Sequence, residues 1–334
     1  MSGRAYAFNH SEIGLAGATI RVRELPGAAA VTDAQGDYSL ELPDETTVTP
    51  YIDPPPGYNQ IDLQTFHTRG HAIRNANFQT PADAEYKGLA SLLSVPLGPD
   101  GRPEQCVIVT TASARDVRGV DFATFQARTP HGVAGATART KPALAGPIYF
   151  NDRVIPDRSR TATSGDGGII WTEVPTGTYR VITESPANKA PQQRRGSATP
   201  PMRFASFLAT CEPGRIVNAN PPWGAYELIP TERPLSAGIV AGSIERVRAV
   251  RRGGRRLVSI RVEAAERLEL RVGLRQDGRL VGKQRRTKLG AGVESIRLPV
   301  RASARRGRSR VTLRLVDAAG DSEPERLRLR LPPA

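Results

Sequence analysis

The sequence predicts an all-β protein: tandem antiparallel β-sandwiches, three in number, with one short connecting helix. Three observations carry that reading. A phrase running Gly17-Ala18-Thr19-Ile20-Arg21-Val22, then Thr32-Asp33-Ala34-Gln35-Gly36-Asp37-Tyr38-Ser39-Leu40-Glu41-Leu42-Pro43, returns later in the chain. Its echo is Gly135-Ala136-Thr137-Ala138, Thr163-Ser164-Gly165-Asp166-Gly167-Gly168 and Trp171-Thr172-Glu173-Val174-Pro175. Each copy orders a strand, an Asp/Gly turn, a second strand and a Pro-marked exit. The 32 glycines and 28 prolines of the 334 residues punctuate short strands throughout, with no fibrous period. The final segment alternates apolar and polar residues with the period of a half-buried strand.

Residues 1–80 read as the first sandwich. Asp33 and Gly36 supply turn chemistry, and Tyr38, Leu40 and Leu42 alternate with Ser39 and Glu41. Within residues 81–103, Pro81 opens a helix whose apolar stripe is Ala84, Leu89, Leu92 and Leu93, and Pro96 ends it. Residues 104–230 form the second sandwich. Cys106-Val107-Ile108-Val109 is a buried strand, Ile169-Ile170-Trp171 and Tyr179-Arg180-Val181-Ile182 form a hairpin, and Phe204 to Cys211 is a further strand. Long loops at Lys141–Pro147 and Ser185–Met202 interrupt it. Asn218-Ala219-Asn220-Pro221-Pro222-Trp223-Gly224 reads as a rigid turn with a packed indole. In residues 235–334, Arg267 to Arg275 alternates without a break and turns at Asp277-Gly278, a hairpin signal. Val311–Leu315 and Leu327–Leu331 repeat the alternation, with a turn at Val316–Gly320 between them.

Gly3, Gly17-Ala18-Thr19, Thr32 to Tyr38, Val48-Thr49-Pro50 and Asn77-Phe78 together resemble the carboxypeptidase regulatory-like domain, a transthyretin-type sandwich. That resemblance covers the first 80 residues. It implies a seven-stranded carbohydrate-binding-like fold without catalytic residues, and a place outside the cell or in its envelope. The last segment is similar to the Arg-rich immunoglobulin-like modules that end many bacterial surface proteins. The start at Met1 shows strand-like alternation, without the basic head and apolar core of a secretory leader, so a cytoplasmic location stays open. No window is long and apolar enough to predict a membrane span.

Charge is unequally shared. Residues 231–334 hold 26 basic and 11 acidic side chains, a balance of +15, whereas residues 1–230 hold 21 and 22, a balance of −1. Alternation places Arg267, Arg271 and Arg275 on one strand face, and Arg326, Arg328 and Arg330 on another. Such a guanidinium surface is either a solvated face or a contact for an anionic cell-wall polymer; nucleic acid would be held non-specifically if at all.

Catalytic and metal signals are sparse. His67 and His71, four apart beside Gly70, read as surface histidines in strand and turn rather than a zinc pair. Asp33, Asp37 and Asp166 sit at turns, where aspartate satisfies its own backbone, and no cofactor is predicted. If a catalytic site exists, His131 with Asp152 and Asp157 is the candidate, because all three fall in polar loops. Cys106 and Cys211 lie in strands of one sandwich and can pair in an oxidising compartment, or else serve as two buried apolar side chains.

The reading is therefore a non-enzymatic surface or envelope protein with glycan or anionic-polymer contact. Two alternatives stand beside it: a hydrolase or polymer-modifying enzyme with its site in the loops of the second sandwich, and a component of an intracellular, phage-like assembly.

Overall fold

The computed structural model describes residues 1–44, 46–68, 72–184, 204–228, 242–264, 268–282, 285–289, 292–316 and 322–333. Arg267, His71, the Ser185–Met202 loop and most of the Val316–Gly320 turn lie outside the described residues. The chain is all-β with two short α-helices among the described residues, and it divides into two compact units, residues 1–229 and 238–334.

The first unit holds two lobes built on one plan. In the first, Thr32 Oγ1 donates to Leu15 O (2.6 Å) and accepts from Ala18 N (2.9 Å), while Thr32 N donates to Ala18 O (2.9 Å). In the second, Thr163 Oγ1 donates to Val133 O (2.6 Å) and accepts from Ala136 N (2.9 Å), while Thr163 N donates to Ala136 O (2.9 Å). Strand pairing repeats as well. Ser2–Ala7 lies antiparallel to Asp37–Ser39 and parallel to Phe78–Thr80; Cys106–Ser113 lies antiparallel to Gly168–Val174 and parallel to Ala225–Tyr226. Gly36 and Gly167 occupy the same crossing, with φ of +83° and +78°. A Cβ there would come 2.2 Å from Ala5 O in the first lobe and 2.9 Å from Ala112 O in the second, so glycine is required twice for one reason.

Two expectations change. The parallel pairs mean the sandwiches are not purely antiparallel. Gly168–Val174 and Gly177–Glu184 do not form a hairpin: the first pairs with Cys106–Ser113, the second with Thr137–Lys141 and Phe207–Cys211. Glu173 at φ +51° and Gly177 at φ +154° turn the chain from one sheet to the other around Pro175.

The lobes are joined through backbone. Val48 pairs with Phe66 and Thr47 with His67 in the first lobe; Tyr179 pairs with Ala209 and Thr178 with Thr210 in the second. Thr65 and Leu208 are therefore equivalent, and they bridge to each other antiparallel across the junction. Beside them, Asp62 N donates to Ile216 O (2.8 Å) and Asn218 N donates to Asp62 O (2.8 Å). The Asp62 side chain is 2% exposed between Arg23 (2.7 Å) and Arg215 (3.4 Å). Burial pushes its carboxyl up, and the two guanidinium groups oppose that shift.

The helix Asp83–Leu93 follows the first lobe and buries Tyr86, Ala90 and Leu93. The predicted stripe is rotated: Ala84 is exposed and Leu92 is 55% exposed. Ser94, in the left-handed region, ends the helix two residues before Pro96. A second helix, Phe122–Ala127, was not predicted; Asp121 caps it by accepting from Thr124 N (2.9 Å).

The second unit packs the sheet Gly242–Arg252, Arg255–Ala264, Gly292–Pro299 against a five-stranded sheet centred on Leu268–Gln276 and Gly307–Val316. Alternate residues fill its core, among them Val258, Ile260, Val262, Leu270, Val272, Leu274, Val311 and Leu313. Asp277 (φ +49°) and Gly278 (φ +78°) make the hairpin turn that the sequence predicts.

Candidate functional site

A cleft of about 490 Å³ opens between the lobes of the first unit. The first lobe contributes Tyr6, Phe8, Asn9, Ser11 and Gln79; the second contributes Thr110, Thr111, His131, Phe150, Asp152 and Asp166. The run after Ile216–Ala219 closes it with Asn220 and Pro221.

Each polar group is fixed by a separate piece of backbone. Asp166 ends the repeated turn and accepts from Gly168 N through Oδ2 (3.0 Å). Burial pushes its carboxyl up; the bond from Gly168 N opposes this, and the charge of nearby Asp152 adds to it. Asp152 Oδ1 accepts from Gly165 N (2.9 Å), tying the Asn151–Ile155 turn to the same loop. His131 stacks on Phe125 (centroids 4.1 Å apart, planes 8° apart), and its Nε2 lies 2.8 Å from Phe125 O. A carbonyl only accepts, so Nε2 carries the hydrogen and Nδ1 is the acceptor. Burial lowers the imidazole's affinity for protons, favouring the neutral ring.

Asn218 Nδ2 donates to Gln79 O across the lobes (3.1 Å). Asn220 is 5% exposed, and among the described residues its Oδ1 has no hydrogen-bond partner. A buried acceptor without a donor costs about 1–3 kcal/mol, so its retention at a cleft wall calls for a ligand or water.

His131 and Asp152 thus meet at the cleft, but Asp157 does not belong to it. Asp157 accepts from Ser159 N (2.9 Å) and Ser159 Oγ (2.6 Å) in its own turn. Asp166, read from sequence as turn chemistry, is the carboxylate that joins them. The Asn218–Trp223 run has a role that local reading missed. Trp223 stands edge-on to Phe66 (5.6 Å, 89°) and donates from Nε1 to Arg74 O (2.8 Å), and Gly224 N donates to Gln64 Oε1 (2.6 Å). Long-range partners decide this, and no local period announces them.

Cys106 and Cys211 form a disulfide with Cα atoms 5.4 Å apart. His67 is not a surface residue: it is 4% exposed beside Phe66, on a strand paired with Thr47–Val48. Asp33 Oδ1 accepts from Gln35 N and Asp37 N, both at 2.9 Å, and Asp37 pairs with Arg4. Among the described residues no group of three or more His, Cys, Asp or Glu side chains is placed to hold a metal. In the same set no helix is long and apolar enough to cross a membrane.

No protein-family model matches the chain. No curated protein matches it. Among solved structures it is similar to a DUF3823 family protein from Bacteroides ovatus (11% identity, 68% of this chain and 100% of that one, TM-score 0.22). It is also similar to BcpA, the major pilin subunit of Bacillus cereus (8%, 68% and 69%, TM-score 0.21), and to a tetra-tandem repeat from the extending region of a large adhesion protein (13%, 96% and 68%, TM-score 0.21). These scores carry no argument about function.

In the second unit, Arg275 and Arg326, Arg328 and Arg330 are exposed on one sheet face. Arg271, on the same face, is half-exposed and bonds Glu269 at 2.5 Å.

Proposed function

We propose that the chain is a non-enzymatic binding protein of the cell envelope or exterior, and that its inter-lobe cleft takes a glycan. The observation that carries this reading is the composition of the cleft wall. Sugars present hydroxyls that both donate and accept, and C–H faces that pack on aromatic rings. Asp152 and Asp166 offer acceptors, Asn220 Oδ1 needs a donor, Gln79, Ser11 and Thr111 add polar contacts, and Phe8 and Phe150 supply rings. The disulfide supports an oxidising compartment, as does the resemblance of residues 1–80 to carboxypeptidase regulatory-like domains.

The hydrolase reading keeps one observation in its favour, the Asp166 carboxyl beside Asp152, which burial makes a weaker acid than usual, as in paired-carboxylate chemistry. Against it, Asp152, Asp166 and His131 each hold backbone in place, which is the work of a rigid wall.

A glycan array probed with the intact protein tests the proposal, with Asn220→Ala and Asp166→Asn alongside. We expect a restricted set of oligosaccharides to bind the parent and to lose both variants, without release of new reducing ends. A blank array, or retention unchanged by both substitutions, would remove the cleft from the account. Release of reducing ends would favour the hydrolase.

A further inference from the structure

The five-stranded sheet of the second unit carries arginines in cross-strand register. Arg275 pairs with Arg310, which pairs with Arg328; Arg308 pairs with Arg330; Arg271 pairs with Arg314. Neighbouring strands lie about 4.8 Å apart, so these are like charges set directly opposite one another, an arrangement that destabilises a sheet by itself. Six of the seven are exposed, and the seventh, Arg271, is half-exposed. Among the described residues of these three strands, Glu269 is the one acidic residue in register with that face. A face of this kind stands at lower cost when an external anion lies on it.

The row is broken at one place. Gly273 pairs with Thr312, which pairs with Arg326. Among the described residues nothing lies within 4 Å of a Cβ built on Gly273, and a groove of about 380 Å³ opens there, lined by Arg271, Arg275, Thr312, Arg314 and Leu280. Three guanidinium groups and a hydroxyl line a seat over Gly273. Residues 231–334 contain no aromatic side chain at all, so bases would find no ring to stack on.

We propose that this face binds a linear anionic polysaccharide, with one carboxylate or sulfate seated over Gly273 and Thr312 and its neighbours along the Arg275–Arg310–Arg328 row. Guanidinium forks hold such groups by paired hydrogen bonds, and the polymer's charge removes the repulsion built into the register. The site is independent of the cleft in the first unit and does not rest on it.

The test titrates the full-length protein with heparin, polygalacturonate, duplex DNA and oligo-dT at low and physiological salt. Heparin separates a sulfate preference from the carboxylate preference of polygalacturonate. Binding to at least one polysaccharide should fall steeply with salt, as counterion release requires. Gly273→Glu, which places a carboxylate in the seat, should weaken it about tenfold or more, the loss expected for one charge-assisted contact. Gly273→Ala should bind like the parent, and thermal melts should show both variants folded. Three outcomes overturn the proposal: no retention of either polysaccharide at low salt, DNA held as tightly as both, or Gly273→Glu binding like the parent.

Discussion

Thr65 donates its amide hydrogen to the carbonyl of Leu208 at 3.0 Å, and the two residues occupy the same position in two copies of one sandwich. Equivalent residues that pair antiparallel lie on a local two-fold, the self-complementary contact of a symmetric dimer, here within one chain. The symmetry is incomplete. Register places Trp223 where the first lobe has Ala76, so the indole stitches the lobes on one side only.

If the two lobes are copies, equivalent threonines should cost the same. Thr32→Val and Thr163→Val each leave a buried amide and a buried carbonyl short of a partner, a loss of about 1–3 kcal/mol. Urea denaturation of both variants should give matching losses of stability. One neutral and one severe substitution would contradict the equivalence.

Asp62 holds the junction from a buried position between two guanidinium groups. Replacing it with alanine takes one carboxylate from Arg23 and from Arg215, the latter keeping Glu212 at 2.5 Å, at a cost of about 1–3 kcal/mol. Thermal melts should fall accordingly, and proteolysis should begin in the segment around Leu63. A variant as stable as the parent would show that the triad holds nothing.

The disulfide spans 105 residues of sequence. In the chain-entropy model a loop near that length contributes about 4.7 kcal/mol, so reduction should lower the melting temperature of the first unit and leave that of the second unchanged. Calorimetry with and without reductant reads both transitions.

Two cleft groups titrate in opposite senses. Burial lowers the His131 value, so the unfolded chain takes up the proton first; stability is full above about pH 6.5 and declines as pH falls through that value. The Asp166 value is raised, so its stabilising contribution is present below about pH 3.9 and is lost as pH rises through the folded-state value. His131→Phe should flatten the stability slope below pH 6.5, and Asp166→Asn should flatten the one above pH 3.9. Denaturant midpoints across pH 3 to 8 check both; unchanged slopes would contradict the assignments.

The duplication was legible in the sequence because a Gly-Ala-Thr strand start and an Asp/Gly turn are local requirements, met twice by the same residues. Alternation likewise gave the arginine face, since period two is enough to assign a side of a sheet. The cleft was half legible: loop chemistry pointed to His131 and Asp152, but also to Asp157, which serves its own turn. Asp166 and Asn220 were missed as site residues because only the crossing of distant strands brings them to one wall. His67 was misjudged for a related reason, since Thr68, Arg69 and Gly70 after it read as a turn while its pairing with Thr47 comes from a distant strand. The helix at Phe122 carried a capping signal, Asp121 with Thr124, over a span too short to stand out.

Hydrogen–deuterium exchange of the intact protein, with and without an oligosaccharide selected on the array, tests the central claim most directly. The account predicts slowed exchange at three separated segments, residues 129–132, 165–168 and 216–221, because these build the cleft wall. Protection confined to other segments, or none at saturating oligosaccharide, would contradict it.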